Sequence, residues 1–326
     1  MIRSVMLAMA GLLAAASPAA AAPKVVASIL PVDGIVAAVM GSTGKPQLLL
    51  EGKLSEHRAV FTPQQIAELG SADVVFIIGH GLEAKLSQLS GTEAVNGKRF
   101  VELSEAPGVR TLPIREGGVW EAHDHGHDHG DDHDHGDDHA EGQAAGEADH
   151  AEGVLSFDPH VWLDPENAKS MAKAVAEALA QADPANAAAY RANAAAFATS
   201  VDETSATIAA ELAPVKSVPY IVFHDAYQYF ESRFGLSPAG SIADVSAQAP
   251  SAERLAEVRN KIAAVKAACV FREPQYDSRV VSTVIEGSGA REGVLDPLGA
   301  DLPPGPGAYQ QLLLNLARDL KSCLAG

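Results

Sequence analysis

The sequence contains few aromatic residues, few cysteines and a deficit of positive charge. Aromatic residues make up 5% of the 326 residues, two residues are cysteine, and the formal net charge is −18. Such an acidic balance argues against nucleic acid as a partner, because binding to phosphates needs an excess of Lys and Arg. Beyond residue 22, no segment approaches eighteen uninterrupted apolar residues, so we expect no membrane-spanning helix there.

The first 22 residues predict a secretory signal peptide. Arg3 supplies a positive start, and residues 5–16 form an apolar stretch that is too short to span a bilayer. A run of small residues follows, and we expect cleavage between Ala20 and Ala22. The mature protein would then be soluble and exported. The alternative is a buried or amphipathic N-terminal helix.

One internal segment has no positive charge at all. Residues 121–152 hold twelve acidic side chains and no Lys or Arg, so they carry most of the net charge. Because the surrounding sequence is also poor in apolar residues, we expect a disordered loop over about residues 107–155. Its histidines predict a secondary, weaker metal-binding region: His123, His125, His127, His129, His133, His135 and His139.

Short apolar runs alternate with helical patterns on both sides of this loop, which predicts α/β structure with parallel sheets covered on both faces. Thr62 and Pro63 are expected as the N-cap and first residue of one helix. A long helix is expected over about 184–212, with Asp183 as its N-cap. Three strands are expected after it, over 219–225, 268–274 and 291–299.

These patterns predict two α/β lobes, with mainly parallel sheets flanked by helices, joined by one long rigid helix. The expected division is a signal peptide over 1–22, a first lobe over 23–182, a connecting helix over 183–213 and a second lobe over 214–326.

Both cysteines, Cys269 and Cys323, lie in the last quarter of the chain. An oxidising compartment favours pairing them. Two buried free thiols are the alternative.

Four histidines lie outside the acidic loop: His57, His80, His160 and His224. His57 and His224 follow or end predicted strands, and open α/β sheets bind ligands outside the carboxyl ends of their strands. Imidazole suits zinc, copper, nickel and iron. We therefore predict one metal site built from His57, His160 and His224. His80 also follows a strand, but nothing requires it to be a ligand.

The predicted site needs a fourth ligand and supporting groups. Glu56, Asp296 or water could fill the remaining position. A carboxylate or carbonyl usually holds the second nitrogen of a ligating imidazole, and the candidates are Asp158, Asp164 and Asp225. Glu273 could orient a ligand or form a structural salt bridge.

Five motifs resemble those of the metal-binding solute receptors of ABC importers, and most closely the periplasmic zinc receptors. They are SEHRAVFTPQQ, FDPHVWLDP, YIVFHDAYQYF, CVFREPQY and GVLDPLG. The resemblance implies a metal in the cleft between two lobes and maps its ligands onto His57, His160 and His224. It also implies a Cys269–Cys323 disulfide and a His-rich acidic loop in the first lobe.

The resemblance implies a monomeric Zn²⁺ receptor that docks transiently on the membrane subunit of an ABC permease. Glu56 or water is favoured as the fourth ligand. The alternatives are a zinc-dependent hydrolase or hydratase with a three-histidine site, or a receptor for manganese, nickel or copper. Two common catalytic motifs, H-E-x-x-H and G-x-S-x-G, are absent from the sequence, so they give no support to the enzyme alternative.

Overall fold

The computed structural model describes residues 22–79, 81–90, 92, 95, 99–116 and 155–326. The strands of these residues are β1 (Val25–Ala27), β2 (Gln47–Leu48), β3 (Val74–Ile77), β4 (Arg99–Glu102), β5 (Tyr220–His224), β6 (Pro238–Ala243), β7 (Cys269–Arg272) and β8 (Arg291–Val294). They form two four-stranded sheets that are parallel throughout, with orders β2-β1-β3-β4 and β6-β5-β7-β8. The predicted fold of two parallel-sheet lobes is confirmed.

The α-helices of the described residues flank these sheets and connect them. They are α1 (Leu30–Met40), α2 (Pro63–Ser71), α3 (Ala84–Ser90), α4 (Pro165–Ala182), α5 (Ala187–Leu212), α6 (Gln228–Phe234), α7 (Ala252–Val265), α8 (Arg279–Ile285) and α9 (Ala308–Leu324). None of them is long and apolar enough to cross a bilayer.

Local sequence explains the central strands and the start of α2. Every residue of β3 is buried, as expected for a strand covered on both faces. Thr62 accepts a hydrogen bond from the Gln65 amide, and the Gln65 side chain accepts one from the Thr62 amide. This capping box, together with Pro63 at the first turn, confirms the predicted helix start.

The long helix α5 links the two lobes, as predicted. It has 26 residues and is therefore about 39 Å long. Its start differs from the expectation, because Pro184–Asn186 form a 3₁₀ turn before the α-helix begins. The Asp183 carboxylate accepts hydrogen bonds from the side chains of Asn186 and Tyr190. Helix α5 packs against α1, α4 and α9, so one continuous core joins the lobes.

Two expectations need correction. Strand β6 is not among the three strands expected after the long helix. It is an edge strand containing Pro238 and Gly240, so it lacks the continuous apolar run that marks a buried strand. Residues 107–116, expected to be disordered, instead contact the body of the protein. Val109 packs on the core, and the Leu112 amide donates to the Tyr229 hydroxyl.

Several predictions concern residues outside the described part of the chain. These are the signal peptide, His80 and the His-rich segment over 123–139. The division into lobes at residues 182 and 213 also stays a prediction.

Candidate metal centre

Glu56, His57, His160 and His224 come together in the structure. Each offers one ligand atom, and these atoms all lie within 4.8 Å of one another. The exposed fractions of Glu56, His160 and His224 are 2%, 0% and 1%. These four groups, which come from three regions far apart in the chain, therefore form one cluster that is buried except for the partly exposed His57.

Three separate elements supply these side chains. Glu56 and His57 lie in a 3₁₀ turn, Glu56–Arg58, which follows β2. His160 directly precedes another 3₁₀ turn, Val161–Leu163, and His224 is the last residue of β5. The cluster thus lies where a parallel-sheet protein presents ligand-binding groups, beyond the carboxyl ends of its strands.

The nitrogen and oxygen atoms of the cluster face a common point. The Nε2 atoms of His160 and His224 are 3.3 Å apart. Glu56 Oε1 lies 3.6 Å from Nε2 of His57 and 3.9 Å from Nε2 of His160. Within the described residues, Glu56 Oε1 and His57 Nε2 are buried without a hydrogen-bond partner. Because buried polar atoms nearly always have one, their convergence points to a bound cation.

Two carboxylates hold the opposite sides of the imidazole rings. Asp158 Oδ1 lies 2.7 Å from Nδ1 of His160, and Glu273 Oε2 lies 2.7 Å from Nδ1 of His224. The Tyr227 hydroxyl donates to Glu273 Oε1 over 3.1 Å. With the Nδ1 proton assigned to the carboxylate side, Nε2 is the ring atom available to a metal, which is the usual arrangement around metal-bound histidine.

Burial and neighbouring charges set the protonation of the cluster. Burial lowers the pKa of His57 well below the usual range, and His160, His224 and Arg58 lower it further. Burial likewise lowers the pKa of His160 well below that range, with smaller contributions from His224 and Arg115, so both imidazoles are neutral. Burial raises the pKa of Glu56 to about 7. For His224 burial alone would lower the pKa, but the charge of Glu273 and its hydrogen bond raise it to about 9.

Asp296 lies outside this cluster and has a different role. Its Oδ1 accepts hydrogen bonds from the Leu298 and Gly299 amides and from Gln275, and its Oδ2 accepts one from Ala300. These bonds fold the loop after β8 around the carboxylate. The geometry therefore brings Glu56, rather than Asp296, to the three histidines.

The other candidate carboxylates also differ in whether they contact a histidine of the cluster. Asp158 supports His160, whereas Asp164 caps α4 and pairs with Arg233. Asp225 pairs with Arg115. The Glu273 carboxylate contacts Nδ1 of His224.

Sequence reasoning missed three residues that shape the site: Arg115, Tyr227 and Tyr276. Arg115 is the last basic residue before the acidic loop, and this position in the sequence could have drawn attention to it. Its guanidinium pairs with Asp225 and Glu231 beside the cluster. Nothing in the sequence marked the two tyrosines, since their roles depend on contacts between distant segments.

The disulfide lies in the second lobe. Cys269 of β7 and Cys323 of α9 are bonded, with their Cα atoms 6.2 Å apart. The expected pairing is confirmed, and the alternative of two free thiols is wrong.

Comparison with known proteins places this geometry in a family. Residues 25–323 match the family model described as zinc-uptake complex component A, periplasmic. The high-affinity zinc uptake system protein ZnuA of Brucella suis is 48% identical over 306 residues, which cover 92% of this chain and 91% of that protein. The protein of the same name from Paracoccus denitrificans is 38% identical, covering 95% of this chain and 94% of its own length.

A solved structure agrees in fold. A crystal structure of ZnuA superposes with a TM-score of 0.73 at 25% identity and covers 93% of this chain and 99% of its own. The family match spans both lobes and all four residues of the cluster. This chain therefore belongs to the ZnuA family of periplasmic solute-binding receptors.

Proposed function

We propose that this chain is a high-affinity receptor that captures Zn²⁺ in the periplasm and delivers it to the membrane subunit of an ABC-type permease. Zinc is the transported cargo, held by His57, His160 and His224 with Glu56 as the fourth ligand. The observation that carries this proposal is the buried cluster whose ligand atoms lie within 4.8 Å of one another. The zinc-uptake function of the curated relatives supports the choice of cargo.

The donor set favours zinc over manganese. Three imidazoles and one carboxylate suit a tetrahedral Zn²⁺ site, with ligand distances of about 2.0–2.2 Å. Manganese favours sites dominated by oxygen ligands. Nickel and copper also accept imidazole ligands. The concentration of each metal in the periplasm, as well as the ligand type, therefore decides which metal is carried.

Closure of the site favours a receptor over a hydrolase. Catalytic zinc sites usually have three protein ligands and keep a fourth position for water or substrate. In the proposed site Glu56 takes that position, and Glu56, His160 and His224 are each at most 2% exposed. A hydrolase and hydratase screen of zinc-loaded protein tests the point, because turnover that His160→Ala abolishes would favour the enzyme.

The proposed location and partner follow from the sequence and the family. An exported, monomeric protein would lose its signal peptide between Ala20 and Ala22 and then dock transiently on the permease. N-terminal sequencing of protein recovered from the periplasm tests export directly. A mature chain that retains Met1 would contradict it.

The His-rich segment is proposed to bind further zinc ions weakly and to supply the cleft. Its seven histidines, from His123 to His139, occur in repeated, nearly equivalent arrangements with Asp. Such a sequence offers several similar groups of imidazole and carboxylate ligands. Single-ion, tight binding is proposed only for the buried cluster.

Competitive zinc titration of single variants tests the ligand set. His57→Ala, His160→Ala and His224→Ala should each weaken the tight site by orders of magnitude, because each removes a direct ligand from a four-coordinate ion. His129→Ala is the matched control, being the same substitution outside the cluster, and should leave the tight site intact. Unchanged zinc affinity in the three cluster variants would refute the assignment.

A further inference from the structure

The turn that carries Glu56 and His57 is attached to the second lobe on both sides of the two ligands. Before them, Ser55 Oγ lies 3.0 Å from the Tyr276 hydroxyl oxygen. After them, Arg58 Nη2 donates to the Ala247 carbonyl over 2.9 Å. Ser55 and Arg58 lie in the loop and turn after β2 of the first sheet. Their partners Tyr276 and Ala247 follow β7 and β6 of the second sheet, so both hydrogen bonds join the two lobes.

The opposite side of the site is held by contacts of a different kind. Trp162, two residues after His160, donates its indole N–H to the Pro297 carbonyl over 2.9 Å. The Tyr309 hydroxyl donates to the Trp162 carbonyl over 2.7 Å. Both bonds are buried and belong to the shared core. His160 is thus fixed by the core, whereas the Glu56–His57 turn is joined across the cleft through partly exposed bonds.

Aromatic contacts hold the ring of Tyr276, whose hydroxyl contacts Ser55. Its ring stacks on Phe223, with centroids 4.7 Å apart and an interplanar angle of 18°. The same ring lies edge-on to His224 at 5.8 Å. Because Phe223 directly precedes the ligand His224 on β5, the hydroxyl of Tyr276 is held at a fixed position beside the site.

The Ala247 carbonyl is presented by a constrained loop. Ala247 has a φ of 52°, a left-handed conformation that is unfavourable for a residue with a Cβ atom. Asp244 enforces it, since its Oδ1 accepts hydrogen bonds from the amides of Ser246 and Gln248. The loop therefore holds a backbone acceptor in place for the Arg58 guanidinium.

We propose that the bonds Ser55–Tyr276 and Arg58–Ala247 form a two-point latch, which holds the ligand turn over bound zinc and sets how fast zinc leaves. The inference rests on the proposed function and deepens it. None of the four residues supplies a ligand atom to the cluster. The latch therefore acts on the dissociation rate and leaves the stoichiometry and the ligand set unchanged.

Stopped-flow release of zinc into excess chelator tests the first bond through a double-mutant cycle. Ser55→Ala and Tyr276→Phe each remove one partner without changing charge, and the phenylalanine keeps the ring on Phe223. Each variant should release zinc about fivefold faster, the effect of one hydrogen bond. The double variant should be no faster than the single variants, because either substitution removes the same bond.

The matched control is Tyr190→Phe, which removes a tyrosine hydroxyl bonded to Asp183 over 2.8 Å. It lies outside the cleft and should release zinc at the wild-type rate. Wild-type release from both Ser55→Ala and Tyr276→Phe would overturn the latch. So would single effects that multiply in the double variant, because the two groups would then act independently.

Arg58→Met tests the second bond. Arg58 also carries a positive charge beside His57, so release is measured at about 1 M salt, where the exposed charge is strongly screened. Release should be about fivefold faster than in wild type, and the effect should multiply with that of Tyr276→Phe. Wild-type release from Arg58→Met under these conditions would overturn this half of the latch.

The two proposals fail in different ways. If the cluster variants keep wild-type zinc affinity, the proposed binding function fails. If the cluster variants lose zinc while the latch variants release one tightly bound zinc at the wild-type rate, only the latch fails.

Discussion

The Nε2 atoms of His160 and His224 face each other at 3.3 Å, and each ring is held from behind by its own carboxylate. Asp158 and Glu273 occupy the Nδ1 sides, so both Nε2 atoms face the same space. This opposed pair, with His57 and Glu56 beside it, is preorganised for a cation although its residues come from distant segments, which supports the proposed zinc site.

Glu273→Gln should weaken zinc binding by about 10- to 100-fold, because the neutral amide no longer supports the basicity of His224. Competitive titration measures the change. Glu177→Gln is the matched control, since Glu177 is an exposed residue of α4 that pairs with Arg191, and it should bind zinc as wild type does. Equal affinities in the two variants would show that Glu273 has only a structural role.

Zinc affinity should rise with pH between about 6 and 8. In the metal-free protein the pKa of His224 is about 9 and that of Glu56 about 7, so at neutral pH His224 holds a proton and Glu56 holds a partial one. Zinc must displace these protons, and lowering the pH therefore weakens binding.

Calorimetry in buffers of different ionisation enthalpy counts the protons released. About one to two per zinc are expected at pH 7, falling towards one at pH 8. Binding without proton release at pH 7 would contradict the assigned protonation of His224.

Replacing Cys269 and Cys323 together by alanine should lower the free energy of unfolding by up to about 4 kcal/mol, because the disulfide closes a long loop in the unfolded chain. Zinc affinity of the folded variant should be unchanged, since neither cysteine belongs to the cluster. Denaturant unfolding and zinc titration measure the two quantities. A large loss of affinity without loss of stability would show that the disulfide shapes the site instead.

Deleting residues 121–152 should preserve one tightly bound zinc and remove the weaker, additional binding. The reason is that the buried cluster is built entirely from residues outside the deletion. Titration of the intact and shortened proteins compares stoichiometry and affinity. Loss of the tight site on deletion would mean that the His-rich segment supplies essential ligands.

Much of the architecture could be predicted because local patterns carried it. The buried run in β3 and the capping box at Thr62 each mark their element within a few residues. Strand β6 could not be predicted, because an edge strand with Pro238 and Gly240 has no continuous apolar run. The ordered conformation of residues 107–116 could not be predicted either, because Arg115 is held by Asp225 and Glu231, which lie more than one hundred positions away in the chain.

The candidate site, like the fold, could be predicted from the sequence only in part. His57 and His224 could be placed from their positions beside strands, whereas the choice of Glu56 over Asp296 needed the fold. Both carboxylates lie in comparable loops of the sequence, but only Asp296 is enclosed by the amides of its own loop. Likewise, the bond between Ser55 and Tyr276 depends entirely on how the lobes meet.

The proposed zinc site is tested most directly by a crystal structure of the zinc-loaded protein with anomalous data at the zinc absorption edge. We expect a strong peak about 2.0–2.2 Å from a ring nitrogen of His57, His160 and His224 and from a carboxylate oxygen of Glu56. A zinc ion bound elsewhere, with these four side chains uncoordinated, would contradict it.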